Sequence, residues 1–189
     1  MVRVGEIELM SQNRELVEVF DTTLRDGMQV EGVSASVQDK LRIAEQLDFL
    51  GVHYIEGGWP GANPKDIEFF ARAATELKLK HSTLVAFGST RRPKGKVDDD
   101  ATLRNLLDAN TSAVCIVAKS WDYHVIEALQ TTLDEGELMV ADSVDFLTRN
   151  GRQVMVDLEH FFDGYKNNPE FAMRVVGAAV MKGATHLVM

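Results

Sequence analysis

Cysteine is nearly absent: Cys115 is the only one among 189 residues. No disulfide can close within the chain, and a thiol inside the apolar run Ala113 to Ala118 reads as core packing. No apolar run approaches the roughly 18 residues of a membrane span, and the first residues, Met1 to Arg14, carry charges where a signal peptide has its apolar core. A cytoplasmic protein is the expectation. Positive charge is also scarce, with 20 Lys and Arg against 29 Asp and Glu and a net charge of −9. That balance disfavours nucleic acid, which needs a basic face. The one basic cluster, Arg91-Arg92-Pro93-Lys94-Gly95-Lys96, reads as a solvated loop, with Arg91 able to face a ligand only if the preceding strand points into a pocket. Neither G-x-G-x-x-G nor G-x-x-x-x-G-K-[ST] occurs, so no nucleotide-phosphate loop is recognisable.

What is present is an alternation. Hydrophobic residues make up 45% and charged residues 26%, an ordinary globular composition with room for a sizeable core. Strand-like runs lie at Leu16–Phe20, Val52–Glu56, Ser82–Phe87, Ala113–Val117, Gln153–Leu158 and Thr185–Met189. Segments of helical period separate them. Ser36-Val37-Gln38-Asp39 resembles a capping-box start, Leu41, Ala44, Leu47 and Leu50 recur at helical spacing, and Gly51 stops the helix. Further helices are expected over Pro64–Leu79, Asp100–Ala109, Tyr123–Thr148 and Pro169–Lys182, with Gly151 and Gly183 at two exits. Five β-then-α units and a sixth strand follow, with the strands parallel because each helical crossover returns the chain to the same edge.

An open doubly wound sheet and a (β/α)8 barrel both accept that repeat. The distribution of polar residues favours the barrel. Arg25-Asp26-Gly27 follows the first strand, Glu56-Gly57-Gly58 the second, Gly88-Ser89-Thr90-Arg91 the third, Lys119-Ser120-Trp121-Asp122 the fourth and Glu159-His160 the fifth. A ring of functional strand ends is what the C-terminal mouth of a barrel requires. A full barrel takes about 250 residues, so the expected fold is α/β, a (β/α)8 TIM barrel truncated to about five βα units plus a sixth strand. Residues 1–15 are read as an N-terminal extension and 16–189 as the incomplete barrel. The first strand end is the most informative, since Asp26 can offer a divalent metal a hard oxygen ligand while Arg25 can hold a carboxylate or a developing oxyanion.

The string Asp21-Thr22-Thr23-Leu24-Arg25-Asp26-Gly27-Met28-Gln29 resembles the D-T-T-L-R-D-G-x-Q signature of the pyruvate-carboxyltransferase-like barrels, the DRE-TIM metallolyase superfamily. Within it, the strings Gly51 to Gly61, Ala86 to Arg92, Lys119 to Asp122 and Glu159 to Lys166 resemble the citramalate synthase, 2-isopropylmalate-synthase-like branch. The resemblance runs from about Leu16 to Met189.

The resemblance implies a Claisen-type condensation. Acetyl-CoA loses a methyl proton, its enolate attacks the ketone of a 2-oxo acid chelated by a divalent metal (Mg2+, Mn2+ or Zn2+), and the thioester is hydrolysed. Pyruvate giving (R)-citramalate, in isoleucine and leucine biosynthesis, is the expected case, with 2-oxoisovalerate the alternative; the two differ by little more than methyl groups. By the same resemblance Asp26 is a metal ligand, Arg25 polarises the keto oxygen, Gln29 lies near the substrate carboxylate or Arg25, and Glu159 takes part in acetyl-CoA activation. Glu56 either closes a salt bridge under the mouth or contacts substrate. Lys119 and Ser120 meet substrate or coenzyme A, or form a surface turn. His124 and His160 are proton carriers by type, or hydrogen-bonded rim residues. Asp21 reads as a partner orienting Arg25 or the turn, Gly57 and Gly58 as a βα turn with room for a ligand, and Trp59, Trp121, Phe161 and Phe162 as packing around the mouth. His53, His81 and His186 are assigned no chemistry.

The sequence departs from the family pattern near its end. Relatives continue the sixth strand into a C-D-T-N-G-G-like loop and supply an H-x-H pair that completes the metal site; neither occurs here. The chain is therefore expected to be the N-terminal part of such a barrel, inactive alone, with a homo-oligomer as the complete enzyme. A non-catalytic fragment that pairs with a full-length homologue, and a metal-dependent lyase, are the competing readings.

Overall fold

The computed structural model describes residues 17–189, so the expected extension over residues 1–15 and the first residue of the first strand, Leu16, lie outside the described residues. Six parallel strands form one sheet in chain order: β1 (Phe20–Asp21), β2 (Tyr54–Gly58), β3 (Thr83–Ser89), β4 (Ala113–Lys119), β5 (Gln153–Glu159) and β6 (His186–Val188). The helices between them are α1 (Val37–Leu50), α2 (Pro64–Glu76), α3 (Ala101–Asp108), α4 (Leu133–Arg149), α5 (Phe161–Asn167) and α6 (Pro169–Met181). Each successive strand lies beside its predecessor, and the result is a curled half-barrel.

Alternate strand residues fall into two separate apolar clusters, as a pleated sheet demands. Ile55, Ala86, Val114, Ile116, Val154 and Val156 pack with Phe69, Leu103, Leu106, Val144, Leu147 and Phe171 of the helices. Val85, Phe87, Ala113, Cys115 and Met155 form the inner cluster with Phe20, Tyr54, Trp59 and Val117. Cys115 is buried there, as expected. Beneath this cluster a polar chain crosses the floor. Gln153 Nε2 donates to the Tyr54 hydroxyl at 3.2 Å, that hydroxyl meets Glu18 at 3.5 Å, and Glu18 Oε2 lies 2.9 Å from His186 Nε2. His186 thus links β6 to the chain entering β1.

Local signals explain most element ends. Ser36 and Asp39 form the full capping box of α1, and Gly51 closes it with φ 86° in the left-handed region. Of the periodic residues of α1, Leu41 and Ala44 are buried, whereas Leu50, at its last turn, is exposed. Asp48 accepts backbone N–H groups from Lys80, His81 and Ser82, tying the end of α1 to the start of β3.

Three expectations need correction. The first strand is two residues long because His53 Nδ1 takes the Val19 N–H that a longer ladder would use. The expected helix Tyr123–Thr148 is two elements, a π-turn over His124–Ala128 and then α4, since Gln130 turns left-handed at φ 51° and the Thr132 side chain caps a fresh start. Between β5 and α6 a further short helix, α5, forms after His160, itself left-handed at φ 54°.

Candidate active site

At the C-terminal end of the half-barrel, β1 leads into a turn that Asp21 fixes by accepting the Thr23 amide and hydroxyl, both at 3.0 Å. Asp21 therefore orients the turn. Arg25 leaves this turn over the sheet: its Nε donates to Glu56 Oε2 at 2.6 Å and its guanidinium stacks 4.0 Å from the centre of the Phe87 ring. Glu56, from β2, is 1% exposed and forms this salt bridge under the mouth. Burial pushes its carboxyl up to about 6 against the opposing hydrogen bond and charge of Arg25. A buried acid clamped to one edge of a guanidinium leaves its other edge with donors to spare. Arg25 Nη1 reaches Asp26 only loosely, at 3.4 Å, and the Asp26 carboxylate is 62% exposed.

Gln29, on the short 3-10 turn Asp26–Gln29, shares with Arg25 a cavity of about 560 Å³ between the two loops that follow β1 and β2. Leu24, Met28, Val33, Trp59 and Ala62 give it an apolar lining. Its far wall is set by the buried pair Lys40–Asp66 at 2.6 Å, with Asp66 also accepting the Trp59 amide. Gly57 and Gly58 do not leave ligand space, contrary to expectation. Both belong to β2; a Cβ on Gly57 would stand 2.7 Å from the Phe69 ring, and one on Gly58 2.8 Å from Asp66. Their missing side chains admit helix α2, not a substrate.

A second group gathers at the ends of β4 and β5, where Lys119 and Glu159 are partners in the ladder. Lys119 Nζ pairs with Glu159 Oε2, and His124 Nδ1 lies 3.8 Å from the same oxygen. Ser120 is fully buried, so it does not form the exposed surface turn that was one of its readings; its hydroxyl donates to the Glu159 carbonyl at 3.0 Å and supports the strand end. His160 sits at the rim, with Nδ1 3.2 Å from Asp163 Oδ2. Trp59 packs edge-on against Phe87, and Trp121 packs at a tilt against His124 with centroids 4.9 Å apart. Phe161 is buried, but Phe162 faces outward, against the expectation that both pack at the mouth. Arg91 also departs from its reading as part of a solvated loop: it is buried and ion-paired with Glu135 at 2.6 Å and Asp142 at 2.7 Å, so it ties α4 to the end of β3.

Sequence reasoning passed over Asp157. It points inward from β5, two residues before Glu159 and on the same face, and burial raises its carboxyl above the ordinary range, with Arg25 opposing and Glu159 reinforcing the rise. The signal was available: in Gln153–Glu159 the polar positions Gln153, Asp157 and Glu159 share one strand parity. Arg25, Asp26, Glu56, Asp157 and Lys119 therefore converge from four strand ends, with charge strongly concentrated at the mouth.

A model of the HMGL-like family matches residues 16–189. The chain belongs to that family. Among curated HMGL-like relatives, the (R)-citramalate synthase of Aquifex aeolicus is 54% identical over 175 residues, which cover 93% of this chain and 33% of the relative. The 2-isopropylmalate synthase of Prochlorococcus marinus is 30% identical over 177 residues, covering 93% and 31%. The chain thus spans about a third of the length of the curated relatives it matches. Among solved structures, the HMG-CoA lyase of Bacillus subtilis superposes with a TM-score of 0.69 at 20% identity, covering 90% of this chain and 56% of that one. That likeness establishes the TIM-barrel-like fold, and the curated relatives are enzymes of the acyltransferase type.

Proposed function

We propose that this HMGL-like chain forms the first six strands of an acyltransferase that condenses acetyl-CoA with a 2-oxo acid, most simply pyruvate, to give (R)-citramalate in isoleucine and leucine biosynthesis. The observation that carries the reading is Arg25, fixed by Glu56 and Phe87 beside Asp26 and Gln29. The 54% identity to a citramalate synthase, against 30% to a 2-isopropylmalate synthase, favours pyruvate over 2-oxoisovalerate.

In this reading the free edge of the Arg25 guanidinium holds the keto oxygen as it becomes an alkoxide. Glu56 holds the guanidinium still, so that little reorganisation is needed as charge develops. Glu159 accepts the methyl proton of the acyl group. The apolar cavity beside Arg25 and Gln29 receives the extended arm that carries the thioester. A divalent metal would supply chelation of the keto acid, but the described residues do not by themselves fit one. Asp26 is a single exposed ligand, and no group of three His, Cys, Asp or Glu among the described residues could hold an ion. The chain alone is accordingly proposed to be inactive. Small molecules are its proposed partners, a homo-oligomer its complete form and the cytoplasm its location; among the described residues no helix is long and apolar enough to cross a membrane.

The test is thiol release from acetyl-CoA by this chain fused to the remaining two-thirds of the Aquifex aeolicus relative. Pyruvate should be turned over at least about 10-fold faster than 2-oxoisovalerate, the discrimination that a few methyl groups permit. Preference for 2-oxoisovalerate would move the assignment to isopropylmalate synthesis.

A further inference from the structure

The second cluster at the mouth contains an unexplained basic group. His124 Nδ1 is buried without a hydrogen-bond partner, although Glu159 Oε2 is only 3.8 Å away. The ring is fixed, not loose: it packs against Trp121 at 4.9 Å and edge-on against His160 at 5.0 Å. It stands at the first position of the π-turn His124–Ala128, a distortion of helical geometry that tends to occur at functional sites. Glu159 is equally constrained. Lys119 clamps its carboxylate, Ser120 holds its carbonyl, and the left-handed His160 follows it at once, a strained conformation for a residue with a side chain. Gly164 completes the support, because a Cβ there would meet the Ser120 carbonyl oxygen at 2.5 Å. One carboxylate oxygen is thus approached by a cation from one neighbour and by an unsatisfied imidazole from another.

We propose that Lys119, Glu159 and His124 form a proton relay, in which Glu159 is the group that touches the acyl methyl and His124 is the acceptor that empties it. The inference rests on the condensation proposed above. In the first step the methyl C–H bond breaks, its electron pair stays on carbon as the enolate, and an O–H bond forms at Glu159. In the second, that proton passes to His124 Nδ1; the carboxylate is restored and imidazolium results, which returns the proton to solvent at the rim. No oxidant or reductant is consumed. Lys119 is a positioning residue: paired with Glu159 across the β4–β5 ladder, it keeps the carboxylate aimed. Two environmental effects leave the acceptor empty at neutral pH, since burial first and the Lys119 charge second hold the imidazole below its ordinary value, while Glu159 opposes and His160 adds to the depression. The charged and titratable groups around this oxygen are therefore Lys119 from β4, His124 from the π-turn, His160 after β5 and Asp157 on the same face of β5.

The test is an NMR titration of the His124 ring in the 189-residue chain, read in the parent and in Lys119→Met, Lys119→Arg and Glu159→Gln. The His124 midpoint should rise by about half a pH unit or more in Lys119→Met, stay near the parent in Lys119→Arg and fall in Glu159→Gln. A midpoint that ignores both neutral substitutions overturns the relay, because the three groups are then not coupled. In the fused enzyme, His124→Asn should lower kcat about 10²-fold or more with KM little changed, and an unchanged kcat also overturns it. If the parent fusion releases no thiol at all while the titration responds as expected, the condensation reading has failed and the coupling of the three groups has not.

Discussion

At Glu56, burial and ion pairing act on one carboxyl with opposite signs. Its carboxyl is buried on the inner face of β2 and lifted to about 6, so the folded state binds its proton more tightly than the unfolded chain, whose value is near 4.5. Stability from this group is complete below about 4.5 and is lost as pH rises through about 6. Denaturant midpoints should accordingly decline across that window in the parent chain, and Glu56→Gln should flatten the decline. A slope that survives the substitution would place the titrating group elsewhere. Arg25 needs the opposite protonation state, because the ionised carboxylate is what fixes the guanidinium over Phe87. Glu56→Ala should free the Arg25 side chain, and a crystal structure of that variant should show the stacking at 4.0 Å lost. Most of this was readable as residue types in the D-T-T-L-R-D-G string and in Glu56. The direction of Glu56, toward Arg25 and away from solvent, was not, because it depends on the strand register between Phe20 and Tyr54.

At the scale of elements, glycines and buried carboxylates set where helices and strands meet. Gly164 of α5 lies against the backbone of Ser120, and Gly164→Ala must displace one of them. A loss of about 1–3 kcal/mol in urea unfolding is expected for such overpacking, together with a shift of the Ser120 amide signal. Unchanged stability would mean that α5 and the Ser120 backbone can move apart without cost. Asp48 is the stabilising counterpart. Burial would raise its carboxyl, but the N–H groups of Lys80, His81 and Ser82 outweigh that and bring it down to about 2 from an unfolded value of 3.8. Its contribution is present above about 3.8 and lost as pH falls toward about 2. Asp48→Asn should cost about 2 kcal/mol at pH 7, as charge-assisted hydrogen bonds do, and little at pH 2; an equal cost at both values would contradict the pairing. The capping box at Ser36 and the stop at Gly51 were legible because capping is local chemistry. The break between His124 and Leu133 was not: apolar periodicity continues through it, and only the left-handed Gln130 and the Thr132 cap, both compatible with other conformations, mark it.

For the molecule as a whole, β-α alternation and the polar strand ends were enough to indicate a barrel, and six parallel strands in chain order agree with that reading. Placement across the barrel was less legible. Inward Asp157, the Lys119 pairing with Glu159 and the burial of Arg91 between β3 and α4 all depend on which elements the sheet brings together over long separations. Among the described residues β1 and β6 each have a single neighbouring strand, so their outer edges offer unpaired backbone groups. The chain on its own is expected to self-associate through these edges with rising concentration in size-exclusion chromatography; a strictly monomeric elution at all concentrations would contradict this. The central claim is that Arg25, held by Glu56, is the electrophilic group of a condensing enzyme. Thiol release from acetyl-CoA and pyruvate by the fused enzyme, compared between Arg25 and Arg25→Lys, tests it most directly. The expected result is a fall in kcat of about 10²–10³-fold for the lysine variant, which cannot reproduce a guanidinium clamped by Glu56 on one edge and free on the other. Equal turnover by the two proteins would contradict it.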